Sequence, residues 1–247
     1  MKTPLIFDIK RTSLVDGPGV RTTVFFKGCN LDCFWCHNPE GKSAHAQTAK
    51  FAEKCIGCGT CQKLLDGENA YELCPANAIR LYGKSYGINE LFEIIAADKE
   101  YFDITDGGVT FSGGECMLYP EFLAQIAKKC KESGISVAID TAGCVPYSSF
   151  EAILPYADLF LYDVKCLDSD LHKRGTGVDN ATILENLERL IKAKKHIIVR
   201  IPCIPGFNEG AEVERVKEFC KERTLEFEVL EYHSLGESKL EALNCAK

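Results

Sequence analysis

Three cysteines spaced C-x3-C-x2-C, Cys29, Cys33 and Cys36, lie in the run KGCNLDCFWCHNPE and carry the strongest chemical signal in the sequence. Three thiolates can hold three irons of a [4Fe–4S] cube, which leaves the fourth iron without a protein ligand. An open metal position is what a catalytic centre needs and a structural one does not. A molecule bearing both an amine and a carboxylate can chelate such an iron. The same residues admit a zinc site with His37 as fourth ligand, although Cys36 and His37 are chain neighbours and aim poorly at one ion. A second group, Cys55, Cys58, Cys61 and Cys74, opens as C-x2-C-x2-C like a bacterial ferredoxin, but Cys74 follows only after twelve further residues and precedes Pro75. No second run of that kind exists for Cys74 to serve, so it is expected to close the same cube, with no iron left open. A four-cysteine zinc site is the alternative there.

Fourteen cysteines in 247 residues is several times ordinary usage. A reducing cytoplasm does not keep them as disulfides, which leaves metal ligation for the seven that cluster. The other seven (Cys116, Cys130, Cys144, Cys166, Cys203, Cys220 and Cys245) are expected to pack as small hydrophobes. At 46% hydrophobic and 26% charged, the chain has the balance of a soluble globular protein, and its length fits one large domain carrying a small insertion. A formal net charge of -7 argues against nucleic acid as a partner. No apolar run is long enough to cross a bilayer. The N-terminal MKTPLIFDIKRTS is too short in apolar content for a secretion signal, so the expectation is a cytoplasmic protein without a membrane partner.

The elements that must position these cysteines follow from periodicity. Strands are expected at Thr22–Phe26, Val109–Phe111, Ile135–Ile139, Leu159–Val164, His196–Ile201 and Glu226–Leu230. Helices are expected at Ile88–Asp98, Glu121–Ser133, Ser148–Pro155, Thr182–Ala193 and Glu212–Arg223. Short continuous apolar runs alternating with helices build a parallel sheet covered on both faces. Six strand–helix units are too few for a closed eight-stranded barrel, so the expected fold is α/β, a partial (β/α)6 TIM-like barrel with its active site at the C-terminal strand ends. The expected division is a barrel of residues 1–41 and 85–247, interrupted after the first strand by a cysteine-rich iron–sulfur insertion of residues 42–84. So polar a segment needs a metal staple.

On these motifs the chain resembles the radical S-adenosylmethionine enzymes, whose C-x3-C-x2-C loop carries an aromatic before the last cysteine, here Trp35. More narrowly it is similar to the glycyl radical enzyme activating enzymes, through Asp16-Gly17-Pro18-Gly19-Val20-Arg21 and Tyr232-His233-Ser234-Leu235-Gly236. The resemblance covers nearly the whole chain. It implies that Asp16 belongs to the catalytic apparatus with Cys29, Cys33 and Cys36. It implies that Gly113, Gly114 and Glu115 meet the amino group of S-adenosylmethionine, that Arg200 reaches its carboxylate, and that His233 contacts its ribose. Asp140, Thr141 and Asp163 would help hold a monovalent cation, Na+ or K+, with Lys165 close by; taken alone, Asp163 and Lys165 could equally be a surface pair.

The implied reaction is reductive cleavage of S-adenosylmethionine to a 5′-deoxyadenosyl radical, which takes a hydrogen from a glycine of a partner glycyl radical enzyme. Flavodoxin or ferredoxin would supply the electron. A dehydratase of the hydroxyproline or diol type is the expected partner, from loose likeness in the insertion. The family's smallest members lack that insertion and many larger ones carry two clusters, so a single auxiliary [4Fe–4S] cluster departs from both. The competing readings are a radical enzyme acting on a small molecule, and an electron-transfer or zinc-binding module with no catalysis.

Overall fold

The runs VFF, VTF, VAI, LFLY and IIV have no polar side to show to water, and each becomes the middle of a buried strand. The computed structural model describes residues 3–63 and 69–244. In chain order it begins with β1 (Leu5–Ser13), β2 (Arg21–Phe26), β3 (Gln47–Lys50), the single turn α1 (Ala70–Leu73), β4 (Ile79–Tyr82) and β5 (Lys84–Ser85). Then come α2 (Ile88–Ala96), α3 (Lys99–Thr105), β6 (Gly108–Gly113), α4 (Pro120–Glu132), β7 (Ser136–Thr141), α5 (Tyr147–Ile153) and β8 (Leu159–Asp163). The chain closes with α6 (Ser169–Thr176), α7 (Ala181–Lys192), β9 (Ile197–Cys203), α8 (Ala211–Glu222), β10 (Glu226–Glu231) and α9 (Leu235–Asn244).

The main sheet runs β10-β9-β8-β7-β6-β2-β1-β5, and β10 at its far edge pairs only with β9 among the described residues. From β2 to β10 neighbouring strands are parallel and in sequence order, the open (β/α)6 partial barrel expected from the pattern. β1 and β5 extend it antiparallel beyond β2. Alternation along each strand sorts the side chains. Val109, Phe111, Val137, Ile139, Phe160 and Val199 pack with the covering helices in the main core. Ala138, Leu159 and Leu161 form a separate small cluster. Asp140 and Asp163 continue the alternation of Ala138 and Leu161, which places carboxylates at the C-terminal ends of β7 and β8. Among the described residues no helix is long and apolar enough to cross a membrane.

Several elements were not legible as sequence. β1 buries Ile6 and Phe7 side by side and exposes Asp8, Lys10, Arg11 and Thr12, so its composition reads neither as a buried strand nor as a clean alternation. α3, α6 and α9 are short or polar, and β5 has two residues. Within residues 42–84, β3 and β4 pair antiparallel. Ala49, Phe51 and Tyr82 then pack with Phe7 of β1 and with Ala242 and Leu243 of α9. The segment therefore has a small apolar core as well as its cysteines, made by residues too far apart in sequence to show a period. Of the scattered cysteines, Cys116, Cys130, Cys166 and Cys220 are buried and Cys144 and Cys203 partly so; Cys245 lies outside the described residues.

Arg21 ties the loop before β2 to the sheet. It is 1% exposed. Its Nε donates to the Thr110 hydroxyl at 2.7 Å, and its terminal nitrogens donate to the carbonyls of Val109 (2.6 Å), Pro18 (3.2 Å) and Ser136 (3.3 Å). Burial lowers its pKa to about 10, so it stays charged at neutral pH. Replacing it by methionine keeps the length but strands these acceptors. Arg21→Met is expected to cost about 2–4 kcal/mol, read as a lower urea midpoint at unchanged slope.

Candidate active site

The loop after β2 leaves the sheet and returns to it. Gly28 N–H donates to the Gly41 carbonyl at 2.7 Å and Cys29 N–H to that of Lys42 at 3.0 Å, closing the loop at its base. At its tip, Asp32 N–H donates to the Thr176 carbonyl (2.7 Å) and Phe34 N–H to that of Gly175 (3.2 Å), both in the last turn of α6. Gly113 and Gly114, at the end of β6, abut this base. A methyl on Gly114 would lie 2.3 Å from the Gly28 oxygen and 2.5 Å from that of Gly41, and Gly113 has φ +124°, which disfavours any other residue.

Cys29, Cys33 and Cys36 border one cavity of about 200 Å³, together with Gly113 and Gly114. The ends of β7, β8 and β9 give it Asp140, Thr141, Asp163, Lys165 and Arg200. Burial raises all three thiols, Cys29 to about 12, so they hold their protons until a metal displaces them. Among the described residues no three His, Cys, Asp or Glu side chains converge on a single ion. The thiols frame a volume, which suits a cube of iron and sulfide with three soft ligands. His37 is otherwise engaged, its ring stacked on that of His233 with centroids 3.9 Å apart.

Opposite the thiols lies a set of paired charges. Lys165 Nζ meets Asp163 Oδ2 at 2.7 Å, and with its side chain 8% exposed this is no surface pair. Burial alone would lower the lysine, but the charge of Asp163 and its hydrogen bond outweigh burial and hold Lys165 above its usual value. Arg200 lies within β9, its Nη1 3.3 Å from Asp140. Its Nε is 3.1 Å from Glu228 but out of line for a hydrogen bond, so one buried donor has no partner among the described residues. Burial raises Asp140 against the pull of Arg200, while the Ser112 hydroxyl donates to it at 2.6 Å.

Four expected residues stand elsewhere or are otherwise occupied. Glu115 is fully buried and does not border the cavity. Its carboxylate accepts from Met117 N–H (3.0 Å), the Thr141 hydroxyl (2.8 Å) and Ala142 N–H (3.0 Å), so it braces the turns after β6 and β7. Thr141 borders the cavity, yet its hydroxyl is committed to Glu115 and to Gly143 N–H. Asp16 lies off the cavity, its carboxylate accepting from Ser13 (2.5 Å) and Thr23 (2.8 Å). His233 borders a second cavity of about 290 Å³, which shares Trp35, Cys36 and His37 as a common wall with the first. Trp35 is fixed there against Phe207, with centroids 4.4 Å apart. Cys55, Cys58, Cys61 and Cys74 border a separate small cavity. Lys42 was missed: it borders the main cavity and donates to the Cys33 carbonyl at 3.0 Å. It sits where the pattern put a domain boundary, so nothing in its spacing marked it.

A family profile described as the Radical SAM superfamily matches residues 23–220. The chain is 37% identical to the (2S)-3-sulfopropanediol dehydratase activating enzyme of Klebsiella oxytoca, over 97% of this chain and 85% of the relative. It is 36% identical to the trans-4-hydroxy-L-proline dehydratase activating enzyme of Clostridioides difficile, over 97% and 88%. It is 38% identical to the 4-hydroxyphenylacetate decarboxylase activating enzyme of Clostridium scatologenes, over 95% and 85%. Among solved structures, Streptococcus suis SuiB bound to its precursor peptide SuiA superposes with TM-score 0.56 at 17% identity, a likeness of fold covering 87% of this chain and 39% of SuiB.

Burial raises Glu115 to about 7 in spite of its donors. The folded state thus holds a proton that the unfolded chain has lost between about pH 4.5 and 7. Stability from this group is greatest at the acid end of that window and falls as pH rises through it. Glu115→Gln sets an NH2 group against a backbone N–H. It is expected to cost about 1–3 kcal/mol at pH 5 and to flatten this part of the stability–pH curve, measured by denaturant titration.

Proposed function

The chain belongs to the radical SAM superfamily and, within it, to the glycyl radical enzyme activating enzymes; on that footing we propose how its residues divide the work. Cys29, Cys33 and Cys36 hold a [4Fe–4S] cluster with one open iron, and the observation that carries this reading is that the three thiols and the paired charges of β7, β8 and β9 face one cavity. When bound, the cluster supplies the electron that splits S-adenosylmethionine into methionine and a 5′-deoxyadenosyl radical, which takes a hydrogen from a glycine of the partner enzyme.

The chain's own residues bind and orient. Arg200, with its spare Nε donor, and Lys165 present positive charge to the carboxylate of S-adenosylmethionine, where a guanidinium fork fits well. Gly113 and Gly114 present backbone at close range to its amino group. Asp140 and Asp163 supply hard oxygen donors for a monovalent cation, Na+ or K+. Trp35 closes the wall against water, and His233, in the adjoining cavity, meets the nucleoside end. To Asp16 and its loop, marked by the sequence motif and held by Ser13 and Thr23, we assign the reception of the partner's glycine-bearing loop.

Residues 42–84 form an insertion in which Cys55, Cys58, Cys61 and Cys74 hold one auxiliary [4Fe–4S] cluster, supported by their common cavity. A flavodoxin or ferredoxin in the cytoplasm delivers the electron. The partner we propose is a dehydratase, a reading supported by two relatives named for dehydratases of a diol and of hydroxyproline.

The test is anaerobic incubation of reconstituted protein with dithionite, S-adenosylmethionine and a panel of glycyl radical enzymes. The expected result is 5′-deoxyadenosine together with a glycyl doublet in the electron paramagnetic resonance spectrum of a dehydratase. A doublet in a decarboxylase alone would replace the proposed partner, and absence of deoxyadenosine from fully loaded protein would end the reading. Cys33→Ala is expected to abolish cleavage. Cys58→Ala should remove the auxiliary cluster's iron and leave dithionite-driven cleavage within about threefold of the parent, since that cube has no open position.

A further inference from the structure

Helix α9 begins three residues after β10 and ends against the segment that carries the second cysteine group. Its last turn buries Ala242 and Leu243 with Ala49, Phe51 and Tyr82. Its first turn rests on the third cysteine of the first group. A methyl on Gly236 would lie 2.3 Å from the Cys36 carbonyl oxygen and 3.1 Å from the His37 Cα. One turn further on, Lys239 reaches the same stretch. Its Nζ lies 3.1 Å from the His37 carbonyl oxygen, 3.2 Å from the Asn38 side-chain oxygen and 2.8 Å from the Glu40 carboxylate.

An ammonium has three N–H bonds and accepts none. Lys239 therefore gives two of its donors to the oxygens of His37 and Asn38 and pairs its charge with Glu40, all some two hundred positions away in sequence. Glu40 is 3% exposed, and its second carboxylate oxygen has no hydrogen-bond partner among the described residues. The Lys27 ammonium donates to the Glu40 backbone carbonyl, and the Glu40 charge acts on it as well. Among the described residues, Lys239 is the donor that the structure gives to the His37 carbonyl. His37 in turn stacks on His233 and belongs to the wall between the two cavities.

We propose that Lys239 is a positioning residue for substrate binding: from α9 it fixes the turn from His37 to Glu40, and through that turn the wall shared by the two cavities. The proposal rests on the reading that these cavities receive S-adenosylmethionine. Lys239 touches neither the cluster ligands' sulfurs nor the main cavity. Its loss should loosen where the nucleoside end is held while leaving the three thiols able to load iron.

The test compares Lys239→Met, Lys239→Arg and the double variant Lys239→Met with Glu40→Gln, which removes the carboxylate that the single change would strand. Each full chain is reconstituted, and four things are measured: iron content, deoxyadenosine formation against S-adenosylmethionine concentration, melting temperature, and amide hydrogen exchange over residues 36–42. The double variant is expected to keep its iron and a kcat within about twofold, to raise KM for S-adenosylmethionine about tenfold, and to exchange faster over residues 36–42. Lys239→Arg should recover most of both losses. Unchanged KM and unchanged exchange in the double variant would overturn the proposal, as would a fall in iron and melting temperature with KM untouched. If the parent protein forms no deoxyadenosine, the functional reading fails, and the exchange data still decide whether Lys239 holds the turn.

Discussion

Two backbone hydrogen bonds close the cysteine loop at its base, Gly28 to Gly41 and Cys29 to Lys42, and the rest of the site is placed relative to that closure. A loop of this length left open at the end of a strand would present its cysteines to solvent in many arrangements, each costing entropy to select. Closed at the base and held at the tip by carbonyls of α6, it presents three thiols to one cavity. The neighbours conform to it. β6 ends in Gly113 and is followed by Gly114, because a side chain on the first would run into the Phe26 backbone of β2 and one on the second into the carbonyls at the loop's base. Glu115 N–H then donates to the Gly28 carbonyl at 2.8 Å, which sends the Glu115 side chain inward to brace the next turn.

The sheet supplies the electrostatics. Strand alternation sends apolar side chains to the helices and leaves Asp140, Asp163 and Arg200 at the cavity, where each charge is buried with an opposite one. Buried pairs of this kind contribute little net stability, because desolvation cancels most of the Coulomb gain. Their value lies in orientation. Two cations and two carboxylates fixed in a small volume can receive a ligand carrying both an ammonium and a carboxylate without reorganising when it arrives.

Much of this was legible in the sequence. The six parallel strands and five of the helices fell within a few residues of their expected positions: five of the strands are buried and write themselves as short apolar runs, and the exposed edge strand β10 shows as Phe227, Val229 and Leu230 set among glutamates. The first cysteine group was legible from its spacing, whereas the charges of β7, β8 and β9 were singled out through the family resemblance, which their place near strand ends accompanied. What escaped was made by distant partners. β1 is half-exposed, the core under β3 and β4 is completed by α9, and Lys42 sits at what looked like a boundary. Glu115 shows the opposite error: a motif next to the cavity suggested contact, whereas the two glycines before it turn the carboxylate into the core.

The central claim is that the three thiols leave one iron free for the amino-acid end of S-adenosylmethionine. Electron–nuclear double resonance on the reduced protein tests it directly, using S-adenosylmethionine with a 15N amino group and a 17O carboxylate. The account predicts that both labels couple to the cluster of Cys29, Cys33 and Cys36, in the Cys58→Ala background as in the parent. A reduced, intact cluster that shows no coupling to either label would contradict it.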